Sequence, residues 1–343
     1  MAPFKSSLAR SVGKLFGVAR ERDLSLRGFT QSTRVPPIPS TTKASGGTIL
    51  STPVGRWHVF SNPAPSGGTK PSPTPFTFAT TEAISNAEIL VVGGGGPGGD
   101  SLGGGGGAGG IVHATSINLT GSYSISVGAG GDWPGVTAPN SGGPSPAGDN
   151  STMSGTGLSL TGLGGGGGGY YGNTAGGGTG GSTGGGTGDP AAGNQPSQSS
   201  TIPSGSVSNY GTKGAPGPAT SRGSGGGAGG AATTIGGVGQ PFSNFPGPFI
   251  SPALVTPLRS AFEAAVTPTG LFGGGGGGGG GNGGLGRAGG PGGGGTGAGG
   301  PFGGAGASTP GINGAGGGGG AGGYGGPGID SDGGDGIIII KYY

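Results

Sequence analysis

The sequence predicts a mainly β protein: a small antiparallel β-sandwich core, a glycine-rich bundle of polyglycine II helices grown from it, and an N-terminal amphipathic α-helix. Two observations carry the core. Residues 89–92 (ILVV) and 111–115 (IVHAT) are apolar runs of strand length on either side of a glycine tract, and residues 122–127 (SYSISV) alternate like a half-buried strand. Residues 336–343 (GIIIIKYY) read as the closing strand of the same sheet, so the glycine between 128 and 336 is one long excursion from a single β core. The bundle rests on a third observation: 103 of the 343 residues are glycine, in tracts that repeat while the segments between them do not.

Composition bounds the function classes. Charged residues are 8% and apolar residues 29% of the chain. Ordinary globular domains are far richer in both, so an ordinary enzyme is not expected and disorder is the competing reading. Collagen is excluded, because 30 prolines are too few and the tracts keep no Gly-X-Y register. The net charge is only +3, and Lys5, Arg10, Lys14, Arg20, Arg22, Arg27 and Arg34 crowd the start, which assigns any electrostatic partner to the N-terminus. Without cysteine there are no disulfides and no thiol chemistry. No apolar run approaches a membrane span, and the start lacks the continuous apolar stretch of a secretory signal.

In chain order, residues 1–32 hold the helix. Pro3 suits its first turn, and Phe4, Leu8, Val12, Leu15 and Ala19 recur at three- or four-residue steps with Phe16 beside them. Gly13 and Gly17 weaken it, so it is expected to dock. A partner assembly is preferred over the protein's own core, and a transit-peptide role is disfavoured because Glu21 and Asp23 intrude. Residues 33–47 are a Pro/Ser/Thr linker. Residues 48–343 form the glycine-rich β-core domain, with strands at 48–50, 56–60, 76–79 and 159–163, a polyglycine excursion over 162–328, and the closing strand 336–343. Between tracts, residues 189–222 are polar with Tyr210. Residues 240–272 are apolar, with Phe242, Phe245, Phe249 and a helix at 257–266 that Thr256 caps.

Ordering that much glycine needs a cause, since fixing each residue costs on the order of 1 to 2 kcal/mol of backbone entropy. A bare backbone lets three-residue-per-turn helices approach closely and hydrogen-bond sideways in several directions. Each bond contributes about 1 kcal/mol net, so the bundle requires anchoring by the β core and association between chains. Antiparallel, lattice-like packing is the expectation.

The succession EILVVGGGGPGG, GGGGGAGGIVHA, SYSISVGAGG, GLGGGGGG and a terminal GDGIIIIKY resembles the glycine-rich domain of bacteriophage tail-fibre and virion-surface proteins. It is also similar in design to the tail-fibre tip adhesins of T-even-like phages. The resemblance covers residues 56–343, and the opening MAPFKSSLARSVGKLFGVARERDLSLRG resembles the leader of marine-phage virion proteins. It implies a non-enzymatic, homo-oligomeric protein of the virion surface. The N-terminal helix would dock on other virion proteins through Phe4, Leu8, Val12, Leu15 and Phe16, and loops between tracts would meet a host receptor, protein or glycan. Residues 189–221 and 240–271 become the contact loops, with Tyr170, Tyr171, Tyr210, Phe242, Phe245 and Phe249 as the candidate rings. For the two neighbouring tyrosines, receptor stacking and plugging of the bundle are equal readings; for the three phenylalanines burial or oligomer contact is favoured, because Leu258, Phe262 and Val266 offer partners. The chain departs from the adhesin pattern in carrying its own β core and N-terminal anchor and no shaft repeats, which leaves tail or head attachment open. The alternative class is a secreted structural or ice-binding glycine-rich protein, against which the uneven loops argue.

Other chemistry is weighed against plain structure. His58 and His113 sit in strands between apolar neighbours and read as structural. Asp330, Asp332 and Asp335 alternate in a glycine loop that suits calcium, although a turn before the last strand is the better reading without the full EF-hand pattern. Chance GxGxxG matches carry nothing where glycine is so common, and Arg222 and Arg287 form no RGG repeats. No cofactor, nucleic acid or membrane insertion is expected.

Overall fold

The computed structural model describes residues 42–53, 55–63, 73–100, 102–132, 145–170, 176–187, 198–217, 222–281, 284–300, 307–323 and 332–343. The chain divides into two compact units, residues 1–41 with 52–54, and residues 42–51 with 55–343. Of the first only Thr52 and Pro53 are described, and the fold below is that of the second. The expected helix over 1–32, with Phe4, Leu8, Val12, Leu15 and Phe16, lies outside the described residues, as do Tyr171 and Asp330.

The described strands are β1 (Ala44–Ser45), β2 (Thr48–Thr52), β3 (Gly55–Ser61), β4 (Thr74–Thr80), β5 (Ile84–Val92), β6 (Ile111–Leu119), β7 (Ser122–Val127), β8 (Ser151–Gly155), β9 (Leu158–Gly162), β10 (Ser200–Thr201), β11 (Ser206–Tyr210), β12 (Gln240–Pro241), β13 (Leu271–Phe272) and β14 (Ile337–Tyr342). They build two six-stranded sheets, β1-β4-β7-β8-β9-β10 and β11-β6-β5-β14-β3-β2, and a small β12-β13 ribbon. Every described pairing is antiparallel.

Burial explains why the strands read so differently. Between the sheets, Phe78, Tyr123, Ile125, Val127, Met153 and Leu160 from the first pack on Phe60, Ile89, Val91, Val112, Ile338 and Ile340 from the second. The other face of the first sheet meets water, so β7 alternates buried Tyr123, Ile125 and Val127 with Ser122, Ser124 and Ser126. The second sheet is covered on both faces. Leu90, Val92, Ile337 and Ile339 point into a second core made with Phe245, Ile250, Leu254, Phe262, Val266 and Phe272. A strand covered twice reads as a continuous apolar run, which accounts for IIII in β14.

The cover is residues 240–272, closed at its neck by β12 and β13 and containing the helix Thr256–Val266, which buries Phe262 and Val266. Four expectations are corrected. Thr256 does not cap this helix: Val255 is the N-cap and no side chain bonds there, while proline fits the first turn. The predicted linker ends early, since buried Ala44 pairs with Thr80 in β1. The excursion over 162–328 is not all decoration, because β10 and β11 return to the two sheets, while the strand expected at 159–163 is present as β9. The glycine packing is not uniformly antiparallel, for a reason given below.

Candidate functional site

The glycine tracts grow directly out of the strand ends. β5 and β6 pair Val92 with Ile111, and beyond them Gly93, Gly96 and Gly99 donate to the carbonyls of Gly110, Gly107 and Gly104. The register is kept while the bonds move to every third residue. The same continuation leads from β8–β9 to Gly148→Gly165 and Ser145→Gly168, from β5–β14 to Gly95→Gly334, and from β12–β13 to Gly275→Gly237. With three residues per turn, successive peptides face different neighbours, so one tract can be bonded on all sides.

Residues 103–110 are the centre of this lattice. Their N–H groups reach Gly169, Gly166 and Leu163 on one neighbour, Gly223 and Gly226 on a second, and Gly322, Gly319 and Gly316 on a third. Their carbonyls accept from residues 93–99, from Ser182 and Gly185, and from Gly276 and Gly279. Residues 163–169 run antiparallel to the central tract and residues 223–226 run parallel to it. Chain direction is free because a bare peptide bonds sideways equally well either way.

The close approach requires glycine. A Cβ at Gly95 would stand 2.0 Å from the Gly317 oxygen, at Gly98 2.1 Å from that of Gly320, and at Gly106 2.0 Å from that of Gly96. Polar side chains peg the junction with the sheets. The Ser151 hydroxyl donates to Val92 O (2.7 Å) and accepts from Gly128 N (2.9 Å). Gln198 accepts from Leu163 N (3.3 Å) and donates to Tyr210 O (2.8 Å), and Asp335 Oδ1 accepts from Gly130 N (2.8 Å). Asp335 is therefore engaged as part of the turn into β14. Among the described residues no three His, Cys, Asp or Glu side chains are grouped to hold a metal.

At the end away from the strands, bonds from Gly99 to Gly104, Gly104 to Gly169, Gly169 to Gly185, Arg222 to Gly279 and Gly279 to Gly103 tie the tract ends to one level. Half-buried Tyr170 follows Gly169 there. The other described candidate rings are elsewhere. Phe242 and Phe245 are 6% and 0% exposed in the second core, so they present no ring to a receptor and the contact expectation for them is corrected. Phe249 is half-buried with its ring edge-on to Trp57 (4.6 Å), and Tyr210 is half-buried edge-on to Phe242 (5.4 Å).

A polar cluster that sequence reasoning missed fastens the cover. Glu88 accepts from His113 Nε2 (2.8 Å) and from Asn244 Nδ2 (3.1 and 2.9 Å), with Lys341 Nζ 3.7 Å away, while Trp57 Nε1 donates to Asn244 O (3.2 Å). Burial pushes the Glu88 carboxyl up, but the bonds from His113 and Asn244 and the charges of His113 and Lys341 outweigh it and hold it below its usual value. His58 is fully enclosed: Nδ1–H donates to Gly46 O (2.7 Å), which leaves Nε2 to accept from the Tyr342 hydroxyl (3.0 Å). Burial, with the Arg56 charge, holds its pKa below the usual value against the raising effect of the Gly46 bond. Both histidines thus act in structure. Among the described residues, no helix is long and apolar enough to cross a membrane.

A family described as glycine-rich domain matches residues 70–343, from just before β4 to the end of the chain. No curated protein matches the sequence.

Proposed function

The chain belongs to the glycine-rich domain family, and from that premise we propose that it is a non-enzymatic display scaffold of a bacteriophage virion surface, on tail fibre or capsid. The observation that carries this reading is the gathering of tract ends at the lattice end away from the sheets. A hydrogen-bonded scaffold grown from a β core and ending in one level of tract ends is what an attachment protein needs for display. The phage assignment rests on the sequence resemblance, as does docking of the N-terminal residues Phe4, Leu8, Val12, Leu15 and Phe16 on other virion proteins. Tyr170, and Tyr171 beside it in sequence, are the rings proposed to meet a host receptor. Immunogold labelling of intact particles with antibody against residues 42–343 tests it: label on the particles supports the virion reading, and unlabelled particles overturn it. Purified full-length protein that fails to bind host cells removes adhesion and leaves display.

One observation favours a second reading. Register lines up Thr77, Ser124, Ser154, Ser159 and Thr201 in a single exposed rank across five strands of the first sheet. A regular rank of exposed hydroxyls is what ice binding asks for, and thermal hysteresis of the pure protein decides between the two.

A further inference from the structure

The lattice has an inside and an outside, and proline marks the outside. Every N–H from Gly103 to Gly110 finds a carbonyl. In the flanking tract 284–290, Gly284, Arg287 and Gly290 donate inward to Gly281, Gly278 and Gly275. The N–H groups of Leu285 and Ala288 have no acceptor among the described residues, and both side chains are exposed one turn apart. Pro291, three residues further, is exposed on the same step.

Other flanks repeat the pattern. In 211–217, Gly214 and Ala215 donate inward, while exposed Lys213 and Pro216 stand one turn apart. In 145–150, Ser145 and Gly148 donate inward and Pro146 is exposed. In 307–311, exposed Ala307 and Pro310 are again three residues apart. Among the described residues Pro97 is the tract proline that is buried, and its ring fills an internal gap, 2.5 Å from where a Gly131 Cβ would stand.

A flank of bare glycine with unpaired donors is the lattice counterpart of an open sheet edge, a template for one more chain. The nearest source of a matching tract is a second copy of the same protein. Proline fits the three-residue helix with its fixed φ and has no N–H to offer. A side chain on the outward ridge also fills the space that an incoming backbone must enter, as the 2.0 Å approach of a Cβ at Gly106 to Gly96 O illustrates inside. We propose that the ridges of Pro146, Lys213 with Pro216, Leu285 with Pro291, and Pro310 are edge seals, which stop the lattice from recruiting a glycine tract of a second copy. Any oligomer then forms through other surfaces, and the inference stands apart from the display reading.

The test replaces the seals in the full-length chain (P146G, K213G, P216G, L285G, P291G and P310G together) and follows mass against concentration by sedimentation, with circular dichroism and melting alongside. The seals predict a mass that at least doubles relative to wild type as concentration rises, reverses on dilution, keeps the strand spectrum, and falls back when the replaced residues are restored together. A folded variant whose mass tracks wild type at every concentration overturns the proposal. Should the combined variant lose its fold, the single variants P216G and P310G decide: a folded protein with raised mass supports the seals, and a folded protein with unchanged mass overturns them.

Discussion

Two excursions leave the same sheets and are held by opposite means. The glycine lattice is held by backbone hydrogen bonds through tracts with almost no side chains, whereas residues 240–272 are held by side chains: Phe245, Phe262, Val266 and Phe272 are fully enclosed. The lattice is therefore intolerant of added atoms and the cover of removed ones. One protein thus contains two kinds of core, and the same substitution chemistry should have opposite consequences in each.

The largest effect is expected from Gly106→Val, whose Cβ would stand 2.0 Å from Gly96 O at the lattice centre. Backbone of neighbouring tracts has to move, so a loss beyond the roughly 1–3 kcal/mol of ordinary overpacking is predicted in denaturant unfolding. Phe262→Ala, in the cover, should cost about 3–5 kcal/mol through the cavity it leaves. Hydrogen exchange sharpens the contrast: F262A speeds exchange in 240–272 and leaves 103–110 slow. If both regions loosen together, the two cores are one cooperative unit and the comparison fails.

Acid should work on the two regions differently. Glu88 is held below its usual pKa by partners that include Asn244 of the cover. A depressed carboxyl contributes stability above its unfolded pKa, about 4.3, and loses it as pH falls through the folded value. Glu88→Gln should thus cost about 1 kcal/mol at neutral pH, less in acid, read as faster exchange in 240–272. His58, also depressed, contributes fully above about pH 6.5 and loses that contribution as pH falls through its folded value. His58→Gln should flatten that part of the stability profile, measured by melting between neutral and mildly acidic pH. The smallest effect is expected at Gly230, where a Cβ meets only Val238 at 3.7–3.8 Å. Gly230→Ala should stay within about 0.5 kcal/mol of wild type, in contrast to Gly106.

What the sequence revealed follows the same division. β5, β6, β7 and β14 were legible because burial on one or both faces writes alternation or a continuous run into the residues. β8 (STMSG) and β11 (SVSNY) were not, since each turns few large side chains inward. That the tracts pack as a lattice was legible in their composition. Their directions were not, because glycine has no side chain to mark a face, and direction is set by strand ends far apart in the chain. The burial of Phe242 and Phe245 was foreshadowed by their helical partners. The Glu88–Asn244 link was hidden, as it joins residues 156 apart that have no local signature. Of the candidate receptor rings, Tyr170 alone among the described residues lies at the far lattice end.

The most direct test of the central claim is residue-resolved amide exchange on the full-length protein. A lattice seeded by the strand registers predicts that Gly103–Gly110 exchange as slowly as β5 and β6, while Leu285 and Ala288 on the flank exchange fast. Exchange of Gly103–Gly110 at the rate of an unstructured glycine chain would contradict it.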